Sequence, residues 1–574
     1  MLSFINRGFA VLMLIGAVLA TVCLAGENPP KRVKRQDLPV NIRVTPVGPN
    51  QETVDRAKMA AERSEAVQQE LRGKLYRLLD FSYIENEDKS ARGPQMPTRY
   101  RAVFYDYTGD RTIVAEGSFD GKERITVHQE FYQPKPNEEE FDAALRVLQK
   151  SDEFGGALKL ETLKTFNPMP PMTVLDGTTE RLINVGLNAM DSSTQNQIVG
   201  VSLKRGVVVR YTNNAPPSSR STPEGGCGLS AAGGSVTGAA GQHQLTITQG
   251  PTTLWEMLVL RPGASSGTNG SGIEIRDVKY RGKSVLKRGH VPVLNVQYTP
   301  QNCGPYRDWE DQEGQFNAPT AGATDPAPGI RILGIGQIAT TALESGTDTG
   351  NFSGVAIYTQ GTETVMVTEM NAGWYRYLME WRFDNNGTIR PRYGFGATNN
   401  NCVCNVHVHH AYWRFDFDIV NPTNRVYQME RGRRFIQPLL TEINRNKNLQ
   451  TNRSILVQNS TGDEAYMLVP NKTDGVVDTF GVNDLWVLRY KTGGSPTSAE
   501  IDDGVSCVTC PGMTGAIQIT PWVSGESILD QDVVVWYGAH FIHADGANLL
   551  DPDRSPEILS GSHVVGPDIY PVRW

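Results

Sequence analysis

The sequence lacks a basic surplus. Its 55 lysines and arginines face 62 aspartates and glutamates, leaving a net charge of −7. A nucleic-acid binder would normally be basic, so nucleic acid is not an expected partner. Helical periodicity is almost missing beyond Leu245, and no internal repeat is evident. Those absences argue against a helical bundle or a solenoid for the larger part of the chain. Cysteine is scarce at seven and histidine hardly commoner at nine. Five of those histidines nevertheless fall in two short clusters, His407, His409 and His410, then His540 and His543.

The N-terminus reads as a secretory signal over residues 1–25. Arg7 supplies the positive flank, Phe9 to Ala25 is apolar, and Cys23, Leu24 and Ala25 suit cleavage. An uncleaved membrane anchor is the rival reading, since the run approaches the spanning minimum of about 17 residues. Arg32, Val33, Lys34 and Arg35 form either a dibasic processing site or a solvated basic stretch. Without Cys23, six cysteines remain: Cys227, Cys303, Cys402, Cys404, Cys507 and Cys510. An even number in an exported chain points to disulfides, with the pairing open. Glycosylation sequons at Asn269, Asn351, Asn386, Asn452, Asn459 and Asn471 add weak support for export.

Residues 26–95 read as a linker followed by a helix from Glu52 to about Leu79, with Leu71, Leu75, Leu78 and Leu79 at helical spacing. Residues 96–211 read as a small α+β domain. Arg99–Val127 alternates like hairpins, and a helix follows in which Asn137 and Glu140 form a capping box and Gly155-Gly156 is the stop. Residues 212–243, rich in Ser, Gly, Ala and Pro, read as a flexible linker. Short β-branched and aromatic runs separated by Gly, Asn, Asp and Pro fill residues 244–574, implying one large antiparallel β-sandwich. The expected fold is therefore mainly β, with a small α+β domain ahead of the sandwich.

His407 and His409 lie two apart in a strand-like run, so their imidazoles share one face and can reach one ion. Imidazole suits copper and zinc, and a third histidine from a distant strand would complete the set. Cys402, Cys404 and His407, with Cys507 and Cys510, offer a thiolate zinc centre as a weaker alternative, against which export argues.

Reading outward, His407-x-His409-x-x-x-x-Arg414-x-Asp416-x-Asp418 resembles the copper-ligand strand of the copper-containing, quinone-dependent amine oxidases. Asp532, Trp536 and His543 fit the pattern that carries that family's third histidine. Gly373-x-Tyr375-x-Tyr377-x-x-x-Trp381-x-Phe383 resembles its cofactor strand, and the stretches 272–286 and 104–150 resemble the opening of its sandwich and the preceding small domain. The resemblance implies copper on His407, His409 and His543, topaquinone formed from Tyr375, and calcium on Asp416, Asp418 and Asp532. Two aspartates at i and i+2 on a strand also suit calcium by their hard oxygens, although solvent-facing strand residues would look the same. The general base falls on Asp308 in the stretch Tyr306–Gly314, in preference to Asp311. The implied activity is oxidative deamination of a small primary amine by molecular oxygen to aldehyde, ammonia and hydrogen peroxide, in a secreted homodimer.

The chain also departs from that pattern. Trp374 and Arg376 flank Tyr375 where the family has asparagine and an acid, and a gapped alignment would put Ala372 at the cofactor position. A non-catalytic relative that keeps the sandwich and the metal is the alternative function. His410 and His540 have no counterpart role in the resemblance.

Overall fold

The computed structural model describes residues 39–84, 96–130, 133–166, 180–189, 197–210, 236–237, 241–267, 269–299, 306–347, 349–397, 406–431, 433–434, 437–475, 483–490, 523–543 and 564–574. The signal-like segment, the basic stretch at 32–35, all seven cysteines and most of the 212–243 linker lie outside these residues. No helix among the described residues is long and apolar enough to cross a membrane.

Residues 40–47, expected in a linker, form an edge strand of the large sheet, paired with Gln242–Gln249. The helix expected through Leu79 is two short helices, Gln51–Arg63 and Glu65–Leu71, capped by Asn50 and Ser64. Gly73, at φ 75°, ends the second one. A left-handed glycine just past the last turn satisfies orphan carbonyls and stops a helix. Leu75 beyond it is exposed, and Leu78 and Leu79 enter a strand, Tyr76–Ile84, that buries Leu79. This strand joins Arg99–Asp106, Arg111–Ser118 and Thr126–Glu130 in a four-stranded antiparallel sheet. Ala57, Ala61, Val67 and Leu71 of the helices pack on it against Tyr100, Phe104 and Ile113.

A second four-stranded sheet, Leu163–Phe166, Leu182–Ala189, Gln197–Ser202 and Val207–Val209, packs under the helix Glu138–Lys150. Asn137 caps that helix, accepting from the Glu140 N–H at 3.0 Å. The reciprocal arm of the expected capping box is not what Glu140 provides. Its buried carboxylate receives two 2.7 Å hydrogen bonds from Arg181 and a third from the Tyr107 hydroxyl. A guanidinium offers two parallel charge-assisted bonds, which outcompete one backbone N–H. Gly155 opens a short further helix, Gly155–Lys159, and the stop falls earlier, at Ser151.

The remainder is a sandwich of two large sheets, almost wholly antiparallel. One has 10 strands and the other 13 among the described residues. At the centre of the first, Lys283–Thr299, Val406–Phe417, Val533–His543 and Leu485–Arg489 pair in that order. The second contains the hairpin Glu363–Ala372 and Tyr375–Asp384, followed by Ile389–Ala397. Gly373, at φ 59°, starts the two-residue turn of that hairpin, a position glycine fills without strain. Alternation then sorts the side chains. Ala411, Trp413, Phe415 and Phe417 face the inter-sheet core, where Trp413 meets Trp381 edge-to-face at 5.3 Å. Tyr412 joins Val293, Trp486, Val534 and Trp536 in a separate cluster on the outer face. Both faces of the central strands are therefore covered, so they read as apolar runs instead of half-polar alternation.

Because Glu140 and Arg181 are both buried, removing one leaves the other charge without its partner. Glu140→Ala should cost about 3–5 kcal/mol in urea unfolding of the intact protein. A loss below about 1 kcal/mol would show the pair to be solvated.

Candidate metal and tyrosine site

The two histidines expected to bind one ion occupy adjoining inner-face positions of Val406–Phe417, and both are fully buried. Their ring centroids lie 5.0 Å apart. His543 is the direct cross-strand partner of His407 in the ladder between Val406–Phe417 and Val533–His543. Two histidine positions from one strand and a third from more than a hundred residues further along the chain thus share neighbouring rungs of one ladder. Two imidazoles in a dry interior, with a third histidine paired opposite one of them on the next strand, are residue types that suit copper or zinc.

The facing sheet brings phenols to the same place. Tyr375 starts its strand immediately after the Gly373-Trp374 turn and is fully buried, with its ring 5.5 Å from that of His407 and 4.8 Å from that of His409. Ala372, the alternative cofactor position, is its partner across the hairpin. Tyr377 lies two residues on and shares the inner face. Its hydroxyl bonds to Asp308 and lies 3.1 Å from His409 Nδ1. Burial and the neighbouring Asp308 carboxyl push the Tyr377 phenol well above its usual range.

Of the two aspartates considered as base, Asp308 lies at the tyrosines. It is fully buried, one oxygen accepts from Tyr377, and Oδ1 has no hydrogen-bond partner among the described residues. Loss of water raises its pKa to about 7, partly offset by the Tyr377 hydrogen bond. Asp311 is instead engaged in an ion pair with Lys135, which precedes the helix Glu138–Lys150. Glu310 is buried as well, and burial together with its nearby charge pushes the phenol of Tyr393, whose ring lies 5.6 Å from that of Tyr377, well above its usual range.

The departures around Tyr375 acquire a structural meaning. Arg376 points to the opposite face of the strand, as successive strand residues must. Its guanidinium donates to the carbonyls of Gly373 at 3.1 Å and Tyr375 at 2.8 Å, bracing the turn. Trp374 is buried beside Tyr375, ring to ring at 6.3 Å.

The outer face of the same strand carries a different chemistry. One carboxylate oxygen each from Asp416, Asp418 and Asp532 lie within 4.8 Å of one another. Carboxylates brought this close repel unless a cation or protons intervene, and oxygen ligands suit calcium. His410 is also on the outer face. Its Nδ1 lies 2.7 Å from His540 Nδ1, and His540 Nε2 lies 2.7 Å from Asp484. Sequence reading left these two histidines without a role. Their partner Asp484 could not be found from spacing because it arrives just ahead of a separate strand, Leu485–Arg489. Tyr377 carries no legible role in the motif, for a tyrosine at i+2 signals only a shared face. Two sequon asparagines, Asn269 and Asn459, are buried, which leaves no room there for a glycan on the folded chain.

Two measurements follow. Between the unfolded pKa near 3.8 and the folded value near 7, Asp308 keeps its proton only in the folded state. Folding therefore takes up a proton, and its contribution to metal-free stability declines as pH rises through that window. Thermal melts from pH 4 to 8 should show Asp308→Asn gaining on wild type as pH rises; parallel curves would refute the assignment. At a calcium concentration about 100-fold above Kd, the protein should gain about 2.7 kcal/mol. That gain should vanish in Asp418→Asn, and a calcium-independent melt of wild type would remove the site.

No protein-family model matches the chain, and no curated protein matches its sequence. Solved structures do match. A copper-containing benzylamine oxidase from Hansenula polymorpha aligns over 92% of this chain and 97% of its own, at 12% identity and TM-score 0.55. An amine oxidase from Aspergillus nidulans aligns over 92% and 90%, at 14% identity and TM-score 0.50. Pichia pastoris lysyl oxidase aligns over 86% and 85%, at 12% identity and TM-score 0.50. At such identity the likeness speaks for architecture alone, and the chain has the antiparallel β-sandwich fold of the copper amine oxidases.

Proposed function

We propose that the protein is a primary-amine oxidase of the copper and topaquinone type. The observation that carries this reading is the meeting of His407 and His409 with Tyr375 and Asp308 in one buried volume between the two sheets. His407, His409 and His543 would hold copper, and Tyr375 would be the residue converted to the quinone. Copper and quinone supply the oxidative chemistry when present. The chain's own contribution is placement and proton handling.

Tyr375 is fixed by the turn at Gly373, by the Arg376 brace behind it and by Phe395 against its ring at 5.7 Å. The apolar walls exclude water, so a bound amine meets oriented groups instead of solvent. Asp308 keeps one oxygen on Tyr377 and has the other available to take the proton from the carbon next to the substrate nitrogen. Its elevated pKa suits that task, because a base works best with a pKa near the operating pH. A small primary amine and molecular oxygen are the proposed reactants. Aldehyde, ammonia and hydrogen peroxide are the products. Calcium on Asp416, Asp418 and Asp532, export from the cell and a homodimer complete the proposal; light scattering tests the last. The metal-retaining, non-catalytic reading is favoured by Trp374, which occupies the place where an amide side chain would orient a finished quinone.

Aerobic loading with Cu(II), followed by phenylhydrazine and peptide mapping, separates the two readings. An adduct on Tyr375 is expected, absent in Tyr375→Phe. Asp308→Asn should keep the adduct while peroxide release falls roughly 10²–10⁴-fold. Copper uptake without any adduct would leave a binding protein.

A further inference from the structure

The wild-type contacts of His409 restrict it more than ligation of a metal requires. Its ring stacks on Phe395, at 3.9 Å and 27°, and lies nearly parallel to Phe541, at 5.1 Å and 12°. Tyr375 meets it edge-on at 4.8 Å and 83°. These contacts fix the plane of the imidazole. They leave open which ring nitrogen carries the proton, because an aromatic face does not distinguish the two tautomers. That choice falls to the hydrogen bond at Nδ1, where the Tyr377 hydroxyl lies 3.1 Å away.

The hydroxyl has one proton to give and two neighbours, His409 Nδ1 and Asp308. When ionised, Asp308 can only accept, so the phenolic O–H is then directed to it. The phenolic oxygen then accepts from His409, which requires the proton to sit on Nδ1. A neutral imidazole protonated at Nδ1 has its lone pair on Nε2, the nitrogen left for a metal. With Asp308 ionised, the chain from His409 Nδ1–H to Tyr377 to Asp308 runs in one direction.

We propose that Tyr377 is a positioning residue that sets the tautomer and orientation of His409, passing the constraint from Asp308 to the metal ligand. The inference rests on the proposed ligand role of His409. It gives the candidate base a second task, since the same carboxylate that takes up a proton anchors the ligand through a phenol. Outer partners of a metal-bound histidine commonly contribute 10–100-fold in metal affinity. Tyr377 has the geometry of such a partner.

The test is Cu(II) titration of metal-free protein, with electron paramagnetic resonance of the loaded samples, before any amine is added. Tyr377→Phe keeps the ring and removes the hydroxyl. It should weaken copper binding roughly 10–100-fold and alter the nitrogen hyperfine pattern. Asp308→Asn removes the obligatory acceptor and should shift affinity in the same direction. The double variant should lose little more than the stronger single one, because both act through one chain. Tyr393→Phe, a neighbouring buried phenol outside that chain, should leave affinity and spectrum unchanged. Far-UV circular dichroism checks that each variant folds; if Tyr377→Phe does not, Asp308→Asn and its hyperfine pattern decide the matter alone. Wild-type copper binding with an unchanged Tyr377→Phe spectrum and affinity would overturn this inference and leave the oxidase reading standing. A wild-type protein that takes up no copper would overturn both.

Discussion

The ladder between Val406–Phe417 and Val533–His543 is the constraint on which the rest depends. Its eleven rungs run without a register shift from His407 opposite His543 to Phe417 opposite Val533. A slip of one residue would turn every side chain to the other sheet face. His407 and His409 would leave the inter-sheet core, and Asp416 would enter it. A carboxylate moved from the polar outer face into an apolar core without partners is costly, so the misregistered sandwich is strongly disfavoured. The polar residues that make the site also police the alignment of the strands that build it.

Both faces of that strand are chemically loaded. The inner face carries nitrogen donors among aromatic rings, and the outer face carries three convergent carboxylates. A sheet separates them, with backbone hydrogen bonds satisfied within it. Soft or borderline cations and hard ones are thus offered distinct donor sets on either side of one element. The outer-face pair His410 and His540, tied to Asp484, links the ligand ladder to the adjoining strand Leu485–Arg489 by side chains as well as by main chain.

Much of this architecture was legible from period-two patterning. Spacing alone put His407 with His409 and Asp416 with Asp418, and those are pairs for which local geometry suffices. The sandwich itself followed from short apolar runs between turn residues. What escaped has a common cause, namely partners that are distant in sequence or identity-blind in pattern. Glu140 looked like half of a capping box because Arg181, its true partner, lies 41 positions away. The leucines after Leu71 kept helical spacing across Gly73, and only the left-handed φ of that glycine breaks the helix. Tyr377 carried no signal of its role, since neither Asp308 nor His409 is its sequence neighbour.

The ion pair between Lys135 and Asp311 gives the small helical portion a duty beyond covering surface. Asp311 is three positions from Asp308 in the same short loop, and its carboxylate is nearly enclosed. Were the preceding portion excised as a dispensable accessory, that carboxylate would be stranded in a low-dielectric interior. Its negative charge would discourage a second one nearby, and the loop would relax toward solvent to relieve it. The isolated sandwich would then keep its histidines in place while losing the brace that aims its proton acceptor.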